Sequence, residues 1–183
     1  MPNYLGNLAT EYRLRGRARF FDAHPASSVI IGLGILGALN EKERDDDGTF
    51  KVTLYGGFEY FRSEALVDRV WFLTKKPHNR KELRIVVGRT ADADVSIPDL
   101  SIATEHMAFV AGPFGLKVMD LGSVNSTIVD GSLLKKNETA PLHSGSKIVI
   151  GRFEFEYLRH TDFVDRLRAF GLDETGMAKK TET

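Results

Sequence analysis

The chain has 183 residues, enough for one domain with appendages or for two small domains, and enough to bury a sizeable core. Its 25 lysines and arginines balance its 25 aspartates and glutamates, so no net charge draws it to nucleic acid or to a membrane surface. It contains no cysteine, which excludes disulfides, thiolate metal sites and cysteine nucleophiles.

An N-terminal helix is predicted over about residues 5–22. Leu5, Leu8 and Tyr12 recur at helical spacing and give the segment one apolar side. Pro25 ends the helix, because the residue before a proline is disfavoured in helical conformation.

Neither a targeting segment nor a membrane span is predicted. Residues 1–9 lack the charged-then-apolar order of a secretory signal. The longest apolar run, residues 28–39, is shorter than the ~20 residues that a membrane helix needs. A cytoplasmic protein without membrane contact is therefore expected.

After the helix, a β extension is expected within the N-terminal region of residues 1–66, either as a hairpin or as a small extension of a sheet. Residues 29–31 and 50–54 have strand-like composition, and the polar stretch 40–48 indicates an exposed connection between them. Residues 32–37 match the G-x-G-x-x-G pattern of dinucleotide sites, but that pattern requires a helix to begin within the glycines. The residues that follow have no apolar stripe. A glycine-rich strand or turn is therefore expected, and a nicotinamide-dependent enzyme is the least favoured of three functions considered.

Residues 67–160 are predicted to form an antiparallel β-sandwich. Short strand-like runs are separated there by glycine and aspartate, which is typical of sandwiches and not of alternating strands and helices. Aromatic residues and glutamates alternate strictly over residues 153–157. This alternation predicts that Phe153, Phe155 and Tyr157 point inward and that the two glutamates face solvent.

The C-terminal end is predicted to be a helix over residues 161–172 and a disordered polar tail over 173–183. Thr161 or Asp162 can cap the helix, and Gly171 can close it. Its apolar stripe is expected to dock on the sandwich. A phosphate on a tail threonine is considered as an internal ligand, and an inert terminus is the simpler alternative.

Five short motifs follow one another in a fixed order between residues 88 and 151. They are Gly88-Arg89, Asp94–Asp99, Ser101–His106, Asp120–Thr127 and Leu142–Gly151. In this order the motifs resemble the forkhead-associated domain, a β-sandwich that in its family recognises phosphothreonine peptides. The resemblance covers about half of the chain and implies a mainly β fold of this type, with flanking N-terminal and C-terminal helices.

Gly88 and Arg89 are suited to an anion site. A glycine at the end of a strand permits close backbone approach, and an arginine after it can hold two phosphate oxygens with its planar fork. An ordinary surface arginine is the alternative that the residues leave open. The resemblance makes Arg89 a principal phosphate contact. The basic cluster leading to it is either part of a phosphate-binding rim or a solvated loop, and its members are Lys75, Lys76, Arg80, Lys81, Arg84 and Arg89.

The resemblance also assigns roles to the loops after residue 100. His106 is implied to be structural, holding the binding loops together, and Asn125 is implied to bond the main chain of the bound peptide. The family usually has glycine where this chain has Ser126, which predicts a stiffer turn. The expected phosphopeptide-binding set is Arg89, Ser101, Thr104, Ser123, Asn125 and Ser126, with Gly88 and His106 as structural residues of the site.

Ala103 is the main departure from the family pattern, which has a serine that touches the phosphate. An alanine side chain cannot donate a hydrogen bond, and a hydrogen bond to a charged group is worth about 1.5–3 kcal/mol. Thr104 or Ser101 would have to supply the missing contact, and the sequence leaves both open.

The expected function is non-catalytic, phosphothreonine-dependent recognition in Ser/Thr kinase signalling. Its partner would be a phosphothreonine-containing protein, such as a Ser/Thr kinase or a kinase substrate. The alternative is a degenerate scaffold that keeps the fold and binds partners without phosphate. The sequence contains no G-x-S-x-G elbow, and its five histidines have neither the spacing of a catalytic triad nor that of metal ligands. No enzyme activity, cofactor, metal or nucleic-acid partner is therefore expected.

Overall fold

Two β-sheets that share an apolar interior form the centre of the fold. The computed structural model describes residues 3–26, 28–54, 66–79 and 83–171, so the expected tail over 173–183 and its threonines lie outside the described residues. The described residues form two helices and thirteen strands: α1 (Leu5–Ala23), β1 (Ser28–Ile35), β2 (Gly37–Arg44), β3 (Phe50–Leu54), β4 (Val70–Phe72), β5 (Ile85–Gly88), β6 (Val95–Ser96), β7 (Met107–Gly112), β8 (Gly115–Asp120), β9 (Thr127–Val129), β10 (Ser132–Leu134), β11 (Thr139–Pro141), β12 (Lys147–Ile150), β13 (Phe153–Arg159) and α2 (His160–Ala169).

The larger sheet has six strands in the order β10-β9-β12-β13-β1-β4, and the smaller has five in the order β11-β8-β7-β5-β6. Neighbouring strands are antiparallel except for β5 and β6. The predicted antiparallel sandwich is confirmed. Strands β2 and β3 pair only with each other and form a separate hairpin.

Strand β1 comes from the region that was expected to form a hairpin or a small sheet extension, and it lies inside the larger sheet. It pairs with β13 on one side and with β4 on the other. The glycine-rich run belongs to β1 and β2, as predicted, and no helix begins within it. A Cβ on Gly32 would lie 2.3 Å from the Leu66 carbonyl oxygen, so close backbone packing explains this glycine.

The two helices cover the outer face of the larger sheet. The predicted helix at the N-terminus is confirmed as α1, which has a break at Gly16, where φ is 74°. Helix α2 begins at His160, one residue before the predicted start, and Arg159 precedes it without a side-chain cap. Both helices bury apolar residues against that face in one cluster with Val29, Ile31 and Leu158, which confirms the predicted docking of the C-terminal stripe. Neither described helix is long and apolar enough to cross a membrane.

Strand β13 is buried on both faces, which corrects one prediction. Its three aromatic residues point inward as expected, and Phe155 and Tyr157 are 0% and 2% exposed. The glutamates do not face open solvent: Glu154 is 9% exposed, and Glu156 pairs with Arg166 of α2 at 3.1 Å. Helix α2 explains the surroundings of Glu156, because it packs on the face that the alternation leaves polar and brings Arg166 to that side chain.

Candidate functional site

Three loops meet at one end of the sandwich. They follow β5, precede β7 and connect β8 to β9, and backbone hydrogen bonds join them. The Arg89 amide donates to the Ala103 carbonyl at 2.9 Å, and the Leu121 amide donates to the His106 carbonyl at 3.0 Å. A Cβ on Gly88 would lie 2.0 Å from the Thr104 carbonyl oxygen, so only glycine permits this approach of the first two loops.

His106 joins the second and third loops from inside. The ring is fully buried; its Nδ1 accepts a hydrogen bond from the Ala103 amide at 3.2 Å. The hydrogen on Nε2 is then donated to the Ser126 carbonyl, 3.3 Å away. Burial lowers the pKa of His106 to about 4, so the ring is neutral at physiological pH. The structure thus places His106 in the loop-bridging position that the resemblance implies.

Asp120 organises the third loop and was not identified from the sequence. Its buried carboxylate accepts hydrogen bonds from the amides of Gly122 and Ser123 at 2.7 and 3.1 Å. It also accepts hydrogen bonds from the hydroxyls of Ser123 and Thr127 at 2.7 and 2.8 Å. Ser123 was expected to contact the peptide, but its hydroxyl is directed to Asp120 and shapes the loop.

Ser101 is likewise turned inward. It is fully buried, and both its amide and its hydroxyl donate to Asp99, at 2.8 and 2.7 Å. Its Oγ also accepts the Arg152 amide at 3.2 Å. Ser101 therefore does not present its hydroxyl to a ligand, and of the two residues considered as substitutes for the missing serine, Thr104 is the more exposed.

Ser126 has a left-handed backbone, with φ of 51°. This conformation costs a non-glycine residue about 1–2 kcal/mol, which explains a glycine preference at this position. Replacing Ser126 with glycine is expected to raise the free energy of unfolding by about 0.5 kcal/mol, because part of the relief is cancelled by the flexibility of glycine in the unfolded chain. Urea denaturation measures this change in the free energy of unfolding. Ser123→Gly is the control and should destabilise the protein. A loss of stability in Ser126→Gly would show that the backbone at residue 126 is not strained.

The hairpin of β2 and β3 covers the surface that these loops form. We call residues 37–54 the arm. The Arg89 guanidinium donates from Nη2 to the Asp47 carbonyl at 2.7 Å and from Nη1 to the Gly48 carbonyl at 3.3 Å. Residues 40–48 were expected to be an exposed connection. Residues 41–47 are exposed, but Gly48 and Thr49 are buried against the loops.

Asn125 holds the main chain of the arm with both ends of its amide. Its Oδ1 accepts the Val52 amide at 2.9 Å, and its Nδ2 donates to the Phe50 carbonyl at 2.8 Å. The same Nδ2 donates to the Ser101 carbonyl at 2.8 Å, which fixes the side chain on the second loop. The hydrogen bonds from Asn125 to the arm therefore go to its extended main chain.

The Asp47 carboxylate lies where the first two loops meet. Its Oδ2 accepts the Thr104 amide at 3.2 Å, and its Oδ1 accepts the Thr49 amide at 2.8 Å. Burial alone would raise the pKa of Asp47, but hydrogen bonds from Thr49 and Thr104 and the charge of Arg89 lower it below its ordinary value. The loops therefore hold a negatively charged oxygen group. Asp47 is the last of three consecutive aspartates at 45–47, and this run in the sequence gave no sign of the contact.

One member of the basic cluster, Lys75, has a structural role away from the loops. Lys75 donates to the carboxylate of Asp94 at 2.7 Å, and that carboxylate is fully buried. Asp94 also accepts the amides of Lys76 and Val86 at 2.8 and 2.9 Å, which fastens this loop to the start of β5. Arg80 and Lys81 lie outside the described residues. Within the described ranges, no three histidine, aspartate or glutamate side chains come together as a metal site.

Comparisons with known proteins find similarity over the region that holds this site. Residues 85–151 match the model of the FHA domain. Over 96 residues, half of this chain, the sequence is 29% identical to the ABC transporter ATP-binding/permease protein Rv1747 of Mycobacterium tuberculosis, and the match spans 11% of that protein's length.

Two solved FHA-domain structures are similar to this chain at low sequence identity. The FHA domain of the CT664 protein from Chlamydia trachomatis is 17% identical with a TM-score of 0.46, covering 73% of this chain and 97% of that chain. The FHA-2 domain of the Mycobacterium tuberculosis transporter Rv1747 is 24% identical with a TM-score of 0.36, covering 56% and 82% of the two chains.

Proposed function

We propose that this chain, which carries a forkhead-associated domain at residues 85–151, is a non-catalytic recognition module that binds phosphothreonine-containing proteins. One observation carries the proposal. The three loops already hold an extended segment of main chain together with a carboxylate, through Asn125, Arg89 and the Thr104 amide.

The chemistry of these groups suits a phosphate better than a carboxylate. The Arg89 fork and the Thr104 amide are donors, and a phosphothreonine supplies three acceptor oxygens and a charge of about −1.5 to −2. Charge-assisted hydrogen bonds of this kind are about twice as strong as neutral ones. Asn125 would bond the main chain of the peptide with its side-chain amide and so contribute affinity for any extended chain. Selectivity for phosphorylated peptides would come from the phosphate.

The partner that fits this site is a cytoplasmic phosphoprotein, either a Ser/Thr kinase or one of its substrates. A phosphate-independent scaffold is the second candidate. Two observations favour it: Ala103 has no side-chain donor, and the loops bind an unphosphorylated segment of their own chain.

Titration against a degenerate peptide library distinguishes the two functions. The purified protein is titrated with phosphothreonine peptides and with matched threonine and phosphoserine peptides. A phosphothreonine reader prefers the first set over both others. Equal affinity for phosphorylated and unphosphorylated peptides would establish the scaffold.

Ala103→Ser is expected to tighten binding of a phosphothreonine peptide about tenfold, which is the worth of one charged hydrogen bond. The Ala103 backbone is fixed by Arg89 and His106, so a serine there would carry its hydroxyl in a defined position. Isothermal titration measures the gain, and affinity for the unphosphorylated peptide should stay unchanged. Thr104→Val is the companion variant: if it weakens the parent protein and Ala103→Ser brings no gain, Thr104 already supplies the contact.

A further inference from the structure

We propose that the arm is an internal competitor for the binding site, with the Asp47 carboxylate at the phosphate position and residues 50–52 at the position of the peptide main chain. A phosphothreonine ligand then binds by displacing the arm. This inference rests on the proposed function and concerns the regulation of the same site.

The contacts of the arm use the groups that a ligand would need. Both terminal nitrogens of Arg89 donate to carbonyls of residues 47 and 48. The Oδ1 of Asn125 accepts the Val52 amide, and its Nδ2 donates to the carbonyls of Phe50 and Ser101. The Phe50 amide adds a backbone bond to the Leu100 carbonyl at 2.8 Å. An incoming peptide cannot reach these donors and acceptors while the arm is bound.

The arm is built to detach without unfolding the sandwich. Its two strands pair with each other and with neither of the large sheets. An isolated two-stranded hairpin is marginally stable in water. Side chains of its two strands contact each other at the surface: Lys51 pairs with Glu43 at 2.7 Å, and the Arg44 guanidinium lies over the Phe50 ring at 5.4 Å. The loops it leaves are held separately, by Asp120 and His106.

A phosphothreonine carries more charge than the group that it would displace. It would replace the single negative charge of Asp47 beside Arg89 with a charge of about −1.5 to −2.

An internal ligand reduces the affinity measured for an external one. The linkage holds the arm at a high effective concentration near the loops, and the apparent affinity falls in proportion to the fraction of molecules with a free site. Weakening the arm alone should therefore strengthen binding of a phosphopeptide, although no residue of the sandwich has changed.

Asp47→Asn and Asp46→Asn test this with the same change of charge at adjacent residues. Both side chains are exposed, and both changes keep the side-chain shape, so the fold is retained. Asp47→Asn removes the charge that the Thr104 amide and Arg89 hold. It is expected to tighten binding of the phosphothreonine library about tenfold, and Asp46→Asn should leave it within about twofold.

Hydrogen exchange supplies a second readout that needs no peptide. The Val52 amide, which donates to Asn125, should exchange about tenfold faster in Asp47→Asn than in the parent protein. It should also lose its protection when the phosphothreonine library saturates the parent protein. Both results together support the inference.

Two outcomes overturn it, and they differ. If the library prefers phosphothreonine but binds Asp47→Asn no more tightly, or Val52 stays protected in the complex, the arm does not compete and the proposed function stands. If no variant prefers phosphorylated peptide, the proposed function fails and the inference falls with it.

Discussion

Replacing Arg89 with alanine is expected to abolish the preference for phosphorylated over unphosphorylated peptide. The guanidinium is the permanently charged donor at the point where the loops hold an anionic side chain, and no backbone amide can replace its charge. Loss of two charge-assisted hydrogen bonds, each worth about 1.5–3 kcal/mol, corresponds to at least about a hundredfold weaker binding of a phosphothreonine peptide. Isothermal titration with a peptide selected from the library measures the change.

Arg89→Lys is the informative control, because it keeps the charge and loses the fork. It should retain part of the phosphate preference, since lysine acts as a point charge on one oxygen. The alanine variant also frees the Asp47 and Gly48 carbonyls, so its affinity for unphosphorylated peptide should not fall. Undiminished phosphate preference in Arg89→Ala would remove the phosphate-reader function and leave the scaffold.

The second large effect is a loss of stability when the pH falls from about 6.5 to about 4. In the folded protein burial lowers the pKa of His106 to about 4, against 6.5 for an ordinary histidine. Between these values the unfolded chain binds a proton that the folded chain does not. The stabilisation is therefore complete above pH 6.5, and about 3 kcal/mol of it is lost by pH 4.

Burial keeps the folded ring neutral, and the Ala103 amide acts in the same direction. The Nδ1 of the ring faces the N–H of Ala103, so a proton on that nitrogen would bring two donors together. His106→Gln keeps an acceptor and a donor without a titrating group. Urea denaturation across this pH range should show a smaller decline in His106→Gln than in the parent protein, and parallel declines would mean that another group controls the loss.

Local patterns were sufficient to predict much of this fold. Alternation over residues 153–157 identified the inner face of β13, because side chains of a strand point to opposite sides. The same alternation could not show that α2 packs over the other face, so the surroundings of Glu154 and Glu156 were wrongly predicted. Sheet membership could not be predicted for a similar reason: the composition of residues 29–31 predicts a strand but does not show which sheet receives it.

The sequence was most informative about residues that hold the main chain of the loops in place, such as Gly88 and His106. It was less predictable for hydroxyls, whose direction depends on the turn. Ser101 and Ser123 are satisfied by Asp99 and Asp120, each within three residues, and the sequence did not separate these turns from ligand contacts. The contact between Asp47 and Thr104 joins segments far apart in the chain and follows only from the folded structure.

The position of β1 sets the order in which this protein can be assembled during synthesis. Residue 28 pairs with residue 159, so the strand in the interior of the larger sheet finds its main partner only when nearly all of the described chain has been made. The smaller sheet is different, because β7 and β8 are consecutive and pair as a hairpin. Pairings between distant segments are slow to form, since a long loop must close first. During synthesis the smaller sheet can therefore begin to pair while β1 still presents an open edge, to which other unfinished chains or a chaperone can bind.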